Sequence, residues 1–157
     1  MDGEIKKQVL RMFSYGVYVL TSGNGAVFCA STVTWVSQAS FNPPMISVCL
    51  KKESNSYEVV KQRGEFILHL LENNQKEMAK SFFKPTNFED GKINGHDFKF
   101  ENKIPLLKNI PAYLQCRVMD ILENGDHPLF LAEVADAVIN KDANPLELRK
   151  TGWTYGG

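Results

Sequence analysis

Ser37, Ser40, Lys51, Lys52, Ser54 and Ser56 surround the apolar run from Met45 to Leu50. A strand over that run would present hydroxyl and ammonium donors from both ends to one elongated ligand. Lys52, Ser54 and Ser56 fall just ahead of, or on, the first turn of an expected helix. Backbone N–H groups lack partners there and the helix dipole favours an anion. A phosphorylated cofactor fits this pattern. A solvated loop followed by a helix cap fits it too.

Three histidines offer acid–base or stacking chemistry. His127, between Asp126 and Pro128 in a turn joining two strand-like runs, carries an imidazole that could donate or accept at the mouth of a barrel, although a turn histidine can also be merely solvated. His69 lies inside an apolar strand pattern and reads as structural, and His96 lies in a Gly- and Asn-rich loop with no evident partner. Trp35, Phe41, Trp153 and Tyr155 could flank a planar ring, or anchor strand and tail to the core. Ser37 and Ser40 lack a nucleophile elbow and Asp126 lacks a carboxylate neighbour, so hydrolase chemistry is disfavoured. Gly23-Asn24-Gly25 is not followed by the third glycine of a dinucleotide fingerprint, and no GxxxxGK[ST] occurs.

The elements that must position these residues follow from periodicity. Ile5, Val9, Leu10 and Phe13 make the stripe of an amphipathic helix over residues 4–14. Val17 to Ser22 and Ala26 to Val36 read as strands joined through Gly23-Asn24-Gly25, and Asn42-Pro43-Pro44 forces an extended turn before a buried strand at Met45 to Leu50. Asn55 with Glu58, and Asn74 with Glu77, have the spacing of helix caps. The first helix would close at Gly64, and the second would carry Met78, Ala79, Phe82 and Phe83 to a stop at Pro85. Phe66 to Leu71, Tyr113 to Leu122 and Leu129 to Asn140 complete about six strands, with a long loop over 84–111. Short helices inserted among strands predict a mostly antiparallel barrel in one domain over 1–157.

With 18 basic and 18 acidic residues the formal charge is zero, which argues against a nucleic-acid or membrane-surface partner. The charged amino terminus and the lack of a long apolar run predict a cytoplasmic protein. The three cysteines, odd in number and without a CxxC, predict reduced buried thiols and no metal centre.

The segments YGVYVLTS, ASTVTWVSQASFNPPMISVCLKKESNSYEVV, GEFILHLL, NQKEMAKSFF and GDHPLFLAEVADAVI, in this order from Tyr15 to Ile139, resemble the flavin reductase-like family of FMN-binding split barrels. The segment TWVSQASFNPP looks closest to the flavin reductase domains associated with rubredoxin or flavo-diiron proteins. The resemblance implies a homodimeric, mainly β, six-stranded antiparallel split barrel with short helices. It implies FMN near the subunit interface, reduced by NADH or NADPH and passing electrons to a flavin or to a protein acceptor such as rubredoxin.

Carried over by position, Thr34, Trp35, Val36 and Ser37, followed by Gln38, Ala39 and Ser40, would line the isoalloxazine and ribityl chain. Lys51 or Lys52, with Ser54 and Ser56, would hold the phosphate, Tyr155 would flank the ring, and His127 would be the catalytic residue where nicotinamide stacks. Two features depart from the pattern: the lysine is doubled, and Pro128 directly follows His127. An electron-transfer flavoprotein reduced by a protein partner remains the non-enzymatic alternative. An OB-like nucleic-acid binder is a third reading, disfavoured by the zero charge.

Overall fold

The computed structural model describes residues 1–157. Helix α1 (Gly3–Leu10) leads into strands β1 (Tyr18–Gly23), β2 (Phe28–Val33), β3 (Val36–Ser40) and β4 (Met45–Cys49), then helix α2 (Asn55–Arg63) and β5 (Glu65–Leu70). After α3 (Lys76–Ser81) come two small hairpins, β6 (Phe88–Glu89) with β7 (Lys92–Ile93) and β8 (Phe98–Glu101) with β9 (Ile104–Leu107). The long strands β10 (Ala112–Leu122) and β11 (Leu129–Ile139) and a short α4 (Leu148–Thr151) end the chain.

Seven strands form one antiparallel sheet in the order β2-β1-β5-β10-β11-β4-β3. Its two edge strands, β2 and β3, are separated in sequence by Thr34 and Trp35 alone. Three Cα steps reach at most about 11 Å, whereas a flat sheet at about 4.8 Å per strand would hold these edges about 29 Å apart. The sheet therefore curls into a half-barrel. The seventh strand corrects the six-strand expectation: Ala26 to Val36 is not one strand, because the chain leaves β1 at Val33 and starts pairing with β4 at Val36.

Alternation along the strands divides the core. Leu20, Phe66, Leu68, Val48 and Phe130 point into the curl with Val60 of α2, while Val17, Val19 and Ala30 point outward under Met78, Ala79 and Phe82. Burial of each Val, Leu, Phe or Met side chain among these contributes about 1.5–3 kcal/mol. β4 is half-buried rather than fully buried, with Ile46 and Val48 inward and Met45, Ser47 and Cys49 partly exposed. Residues 84–111 are not an idle loop, since Ile104 and Leu106 of β9 pack on Ile67, and Thr21 Oγ1 donates to Pro105 O at 2.6 Å.

Local signals shift by a residue or two. The cap of α2 is Ser54, whose hydroxyl accepts from Tyr57 N, because the Asn55 amide is engaged with the carbonyl of Phe28. Gly64 closes this helix at φ +72, a conformation that glycine adopts without penalty. At α3 the entry is Gln75, which accepts from Glu72 N and donates to Asn109 O, so Asn74 caps nothing. α1 ends at Leu10 and buries no residue, with Ile5, Val9 and Phe13 at 60%, 56% and 60% exposure. No helix is long and apolar enough to cross a membrane.

Candidate functional site

A cavity of about 1060 Å³ opens along β2, bounded by the start of α2, the segment from Phe82 to Phe88, the β10–β11 turn and the tail from Trp153 to Tyr155. Its volume is at the upper end of the range for small-molecule sites. Lys51 and Lys84 are its charged lining residues alongside His127, and no Asp or Glu lines it. Such a wall favours an anionic ligand.

The break between β2 and β3 turns Trp35 into one end of this cavity. Its ring lies 4.6 Å from the His127 ring at an interplanar angle of 43° and 5.5 Å from Tyr155 in an edge-on arrangement. His127 Nδ1 lies 2.9 Å from Asp126 Oδ1, and its Nε2 lies 2.6 Å from the Tyr155 hydroxyl. The bond to His127 is the main cause holding the Asp126 carboxyl below its ordinary range. Burial, and then the charge of Asp126, push the Tyr155 phenol upward, so it stays a donor. Trp35 Nε1 is buried without a hydrogen-bond partner.

Further along, the N-terminus of α2 faces the cavity. Ser54 Oγ is committed to the cap, and Ser56 Oγ lies 2.5 Å from Ser31 Oγ on β2. The amides of Asn55 and Ser56 have no intrahelical acceptor, as at the start of any helix. Lys51 stands on this side of the cavity, and Lys52 does not line it. The backbone explains the split: Lys52 N donates to Asp126 O at 2.8 Å, and the Lys52 charge acts on Glu123, whereas that of Lys51 acts on Asp126.

Of the residues singled out by sequence, Thr34, Trp35, Lys51, Ser54, Ser56, His127 and Tyr155 line one cavity. Val36, Ser37, Gln38, Ala39 and Ser40 do not, because they form β3 at the sheet edge, where Ser37, Gln38 and Ala39 are exposed. Phe41 is 89% exposed in the Pro turn and flanks nothing. Sequence reasoning missed Ser31, Thr32 and Lys84. Ser31 and Thr32 sit in a strand whose outward residues could not be told from its inward ones, and Lys84 belongs to a segment read as loop.

The other two histidines are accounted for elsewhere. His69 is fully buried, with Nδ1 2.8 Å from Val19 O and Nε2 accepting from Leu107 N, and burial lowers its pKa to about 4. His96 Nε2 meets Ser81 Oγ at 2.9 Å. Cys29, Cys49 and Cys116 are free thiols, and burial pushes Cys29 up to about 11 and Cys116 up to about 12.

The family model for the flavin reductase like domain matches residues 10–155. The chain belongs to this family. It is 32% identical to a ferric-chelate reductase (NAD(P)H) of Archaeoglobus fulgidus over 85% of this chain and 80% of that protein. It is also 32% identical to diflavin flavoprotein A 1 of Synechocystis, where the match covers 90% of this chain and 25% of the relative. The chain thus spans about a quarter of the length of the curated diflavin relatives it matches. Among solved structures, the NADH:FAD oxidoreductase SgcE6 of Streptomyces globisporus superposes with a TM-score of 0.74 at 25% identity, covering 88% of this chain and 85% of that one. The curled antiparallel sheet and the ordered motifs from Tyr15 to Ile139 are those of a flavin reductase like domain.

The residues present fit a flavin. An orphaned indole N–H beside the His127 and Tyr155 rings suits a heteroaromatic ring with acceptors, and a helix N-terminus with the Ser31 and Ser56 hydroxyls and Lys51 suits a phosphate.

Proposed function

We propose that the protein is an NAD(P)H-dependent flavin reductase with FMN as its flavin. The observation that carries this reading is the single cavity that joins the Trp35–His127–Tyr155 ring cluster to the N-terminus of α2 with no acidic lining residue. A bound flavin supplies the hydride chemistry that no side chain here can. Trp35 and Tyr155 confine one end of the planar group, and His127, held by Asp126 and Tyr155, presents a fixed imidazole where a nicotinamide ring enters. Ser31, Ser56, Lys51, Lys84 and the first amides of α2 hold the phosphate. FAD is the competing flavin, since one structural relative bears that cofactor in its name.

The exposed apolar stripe of α1, together with Met119, Leu122 and Ile139 on the long strands, supports a homodimer. A second reading, an electron-transfer domain reduced by a protein partner such as rubredoxin, is supported by the diflavin relatives, in which this domain is a part of a longer chain. The deciding experiment measures the visible spectrum of protein equilibrated with FMN and dialysed, then steady-state oxidation of NADH and NADPH with free FMN, FAD or ferricyanide. Retained flavin with turnover supports the reductase. Retained flavin without turnover leaves the electron-transfer reading, and neither retention nor turnover with any flavin sinks both.

A further inference from the structure

Tyr155, which meets His127 Nε2, stands on a segment that no secondary structure holds. The backbone of residues 153–157 makes no hydrogen bond to another backbone group. Side chains hold it instead. Trp153 meets Phe83 edge-on with ring centroids 4.8 Å apart, and Lys76 Nζ lies 5.2 Å from the centre of the Trp153 ring. On the other side of Tyr155, Arg11 Nε, at the C-cap of α1, donates to Gly156 O at 3.0 Å. Arg11 forms no ion pair, so no carboxylate competes for its guanidinium. Gly157 lies against the same helix, where a Cβ would come 3.1 Å from Lys7 O.

α1 buries no residue, so core packing does not account for its place beside this segment. Its contacts are with residues 149–157: Arg11 and Lys7 meet Gly156 and Gly157, and Arg149 Nη2 donates to Met12 O just past the helix. Arg11 itself does not line the cavity. We propose that Arg11 is a positioning residue for the active-site imidazole: by fixing the Gly156 carbonyl it sets the Tyr155 hydroxyl on His127 Nε2. Gly156 adjoins Tyr155 in the chain and passes close to Trp35, so a fixed carbonyl at 156 leaves the phenol little room to swing away. The relay thus runs from the C-cap of α1 through Gly156 and Tyr155 to His127. Its effect on turnover rests on the reductase reading, and its effect on the imidazole does not.

The test is a double-mutant cycle over Arg11→Ala, Tyr155→Phe and the pair, with Arg11→Lys as the conservative variant. The first readout, on apoprotein above neutral pH, is the NMR resonance of His127 Nε2, assigned by its loss in His127→Gln. Arg11→Ala shifts it toward that of a ring nitrogen without a hydrogen bond, as Tyr155→Phe does. Arg11→Lys, which keeps a donor, leaves it near wild type. The second readout is stopped-flow reduction of flavin by NADH and NADPH. Each Ala or Phe variant slows it by about two- to tenfold, the value of one hydrogen bond, and the pair is no slower than the slower single variant. A merely structural role for Arg11 would lower the melting temperature without touching the imidazole. An unmoved Nε2 resonance in Arg11→Ala, or rate effects that multiply in the pair, therefore overturns the relay. If the wild type reduces no flavin, the reductase reading fails and the resonance alone decides the relay. Melting temperatures certify that each variant is folded.

Discussion

The hydroxyl of Tyr155 lies 2.6 Å from His127 Nε2, while Asp126 Oδ1 lies 2.9 Å from Nδ1 of the same ring. A carboxylate only accepts, so Nδ1 carries the proton and Nε2 of the neutral ring accepts from the phenol. Asp126 and Tyr155 lie 29 positions apart in the chain, and together they fix one tautomer and one orientation of the imidazole. The ring is thereby held against Trp35 rather than left to rotate in its turn.

This predicts different effects at the two ends of the cavity. His127→Ala should leave flavin affinity within about threefold of wild type and slow NAD(P)H-dependent flavin reduction by about tenfold or more, since loss of positioning at a reacting ring carries penalties of this order. Tyr155→Phe should slow the same step less, because Asp126 still orients the ring. Stopped-flow reduction with a parallel flavin titration checks both. Loss of flavin with intact reduction kinetics would contradict the role given to His127.

The doubled lysine yields a pairwise prediction. Lys51→Ala should weaken flavin binding by about 1–2 kcal/mol, the value of one charge-assisted bond in an open site, whereas Lys52→Ala should change it by less than about 0.5 kcal/mol. Fluorescence titration of apoprotein measures both, and the reverse order would place the phosphate on the other side of the turn.

Apolar and β-branched runs bounded by turn residues made β1, β5, β10 and β11 legible, and motif order made the family legible. The break after Val33 was not, because Thr34-Trp35-Val36 continues the strand pattern, and what ends β2 there is closure of the sheet, a long-range event. That same break moved Val36 to Ser40 out of the cavity. Lys51 and Lys52 are chemically equal in sequence and separate only through the bond from Lys52 N to Asp126 O, across 74 positions of chain. The stripe of α1 was visible as a pattern, but its exposure was not, since a pattern does not say which surface covers it.

Buried His69 makes stability depend on pH. Its folded pKa of about 4 lies below the ordinary 6.5, so between these values the unfolded chain binds more protons. Its contribution is complete above about pH 6.5 and is lost as pH falls toward 4. The shift corresponds to roughly 3 kcal/mol. His96, also lowered by burial, adds a smaller slope of the same sign. His69→Asn should be less stable at pH 7 yet flatter between pH 6.5 and 4. Urea melts across that range check this, and parallel slopes for the two proteins would remove His69 as the cause.

Trp35 gives the sharpest separation of fold from binding. Its indole sits between His127 and Tyr155, and a Cβ on Gly156, at φ +104, would come 3.1 Å from its Cζ2. The ring is thus enclosed, yet its Nε1 finds no acceptor, and an unsatisfied buried donor costs about 1–3 kcal/mol. Trp35→Phe removes that donor together with some buried ring area, and the two effects oppose each other in the apoprotein. Apoprotein stability should therefore change by less than about 1 kcal/mol. If a flavin acceptor completes the indole in the complex, the same variant should bind flavin about two- to tenfold more weakly, the value of one neutral hydrogen bond. Thermal melts of apoprotein set beside flavin titrations test the two halves separately. Wild-type flavin affinity in Trp35→Phe would show that the indole N–H is not used, and a large loss of apoprotein stability would show that ring packing dominates at this position.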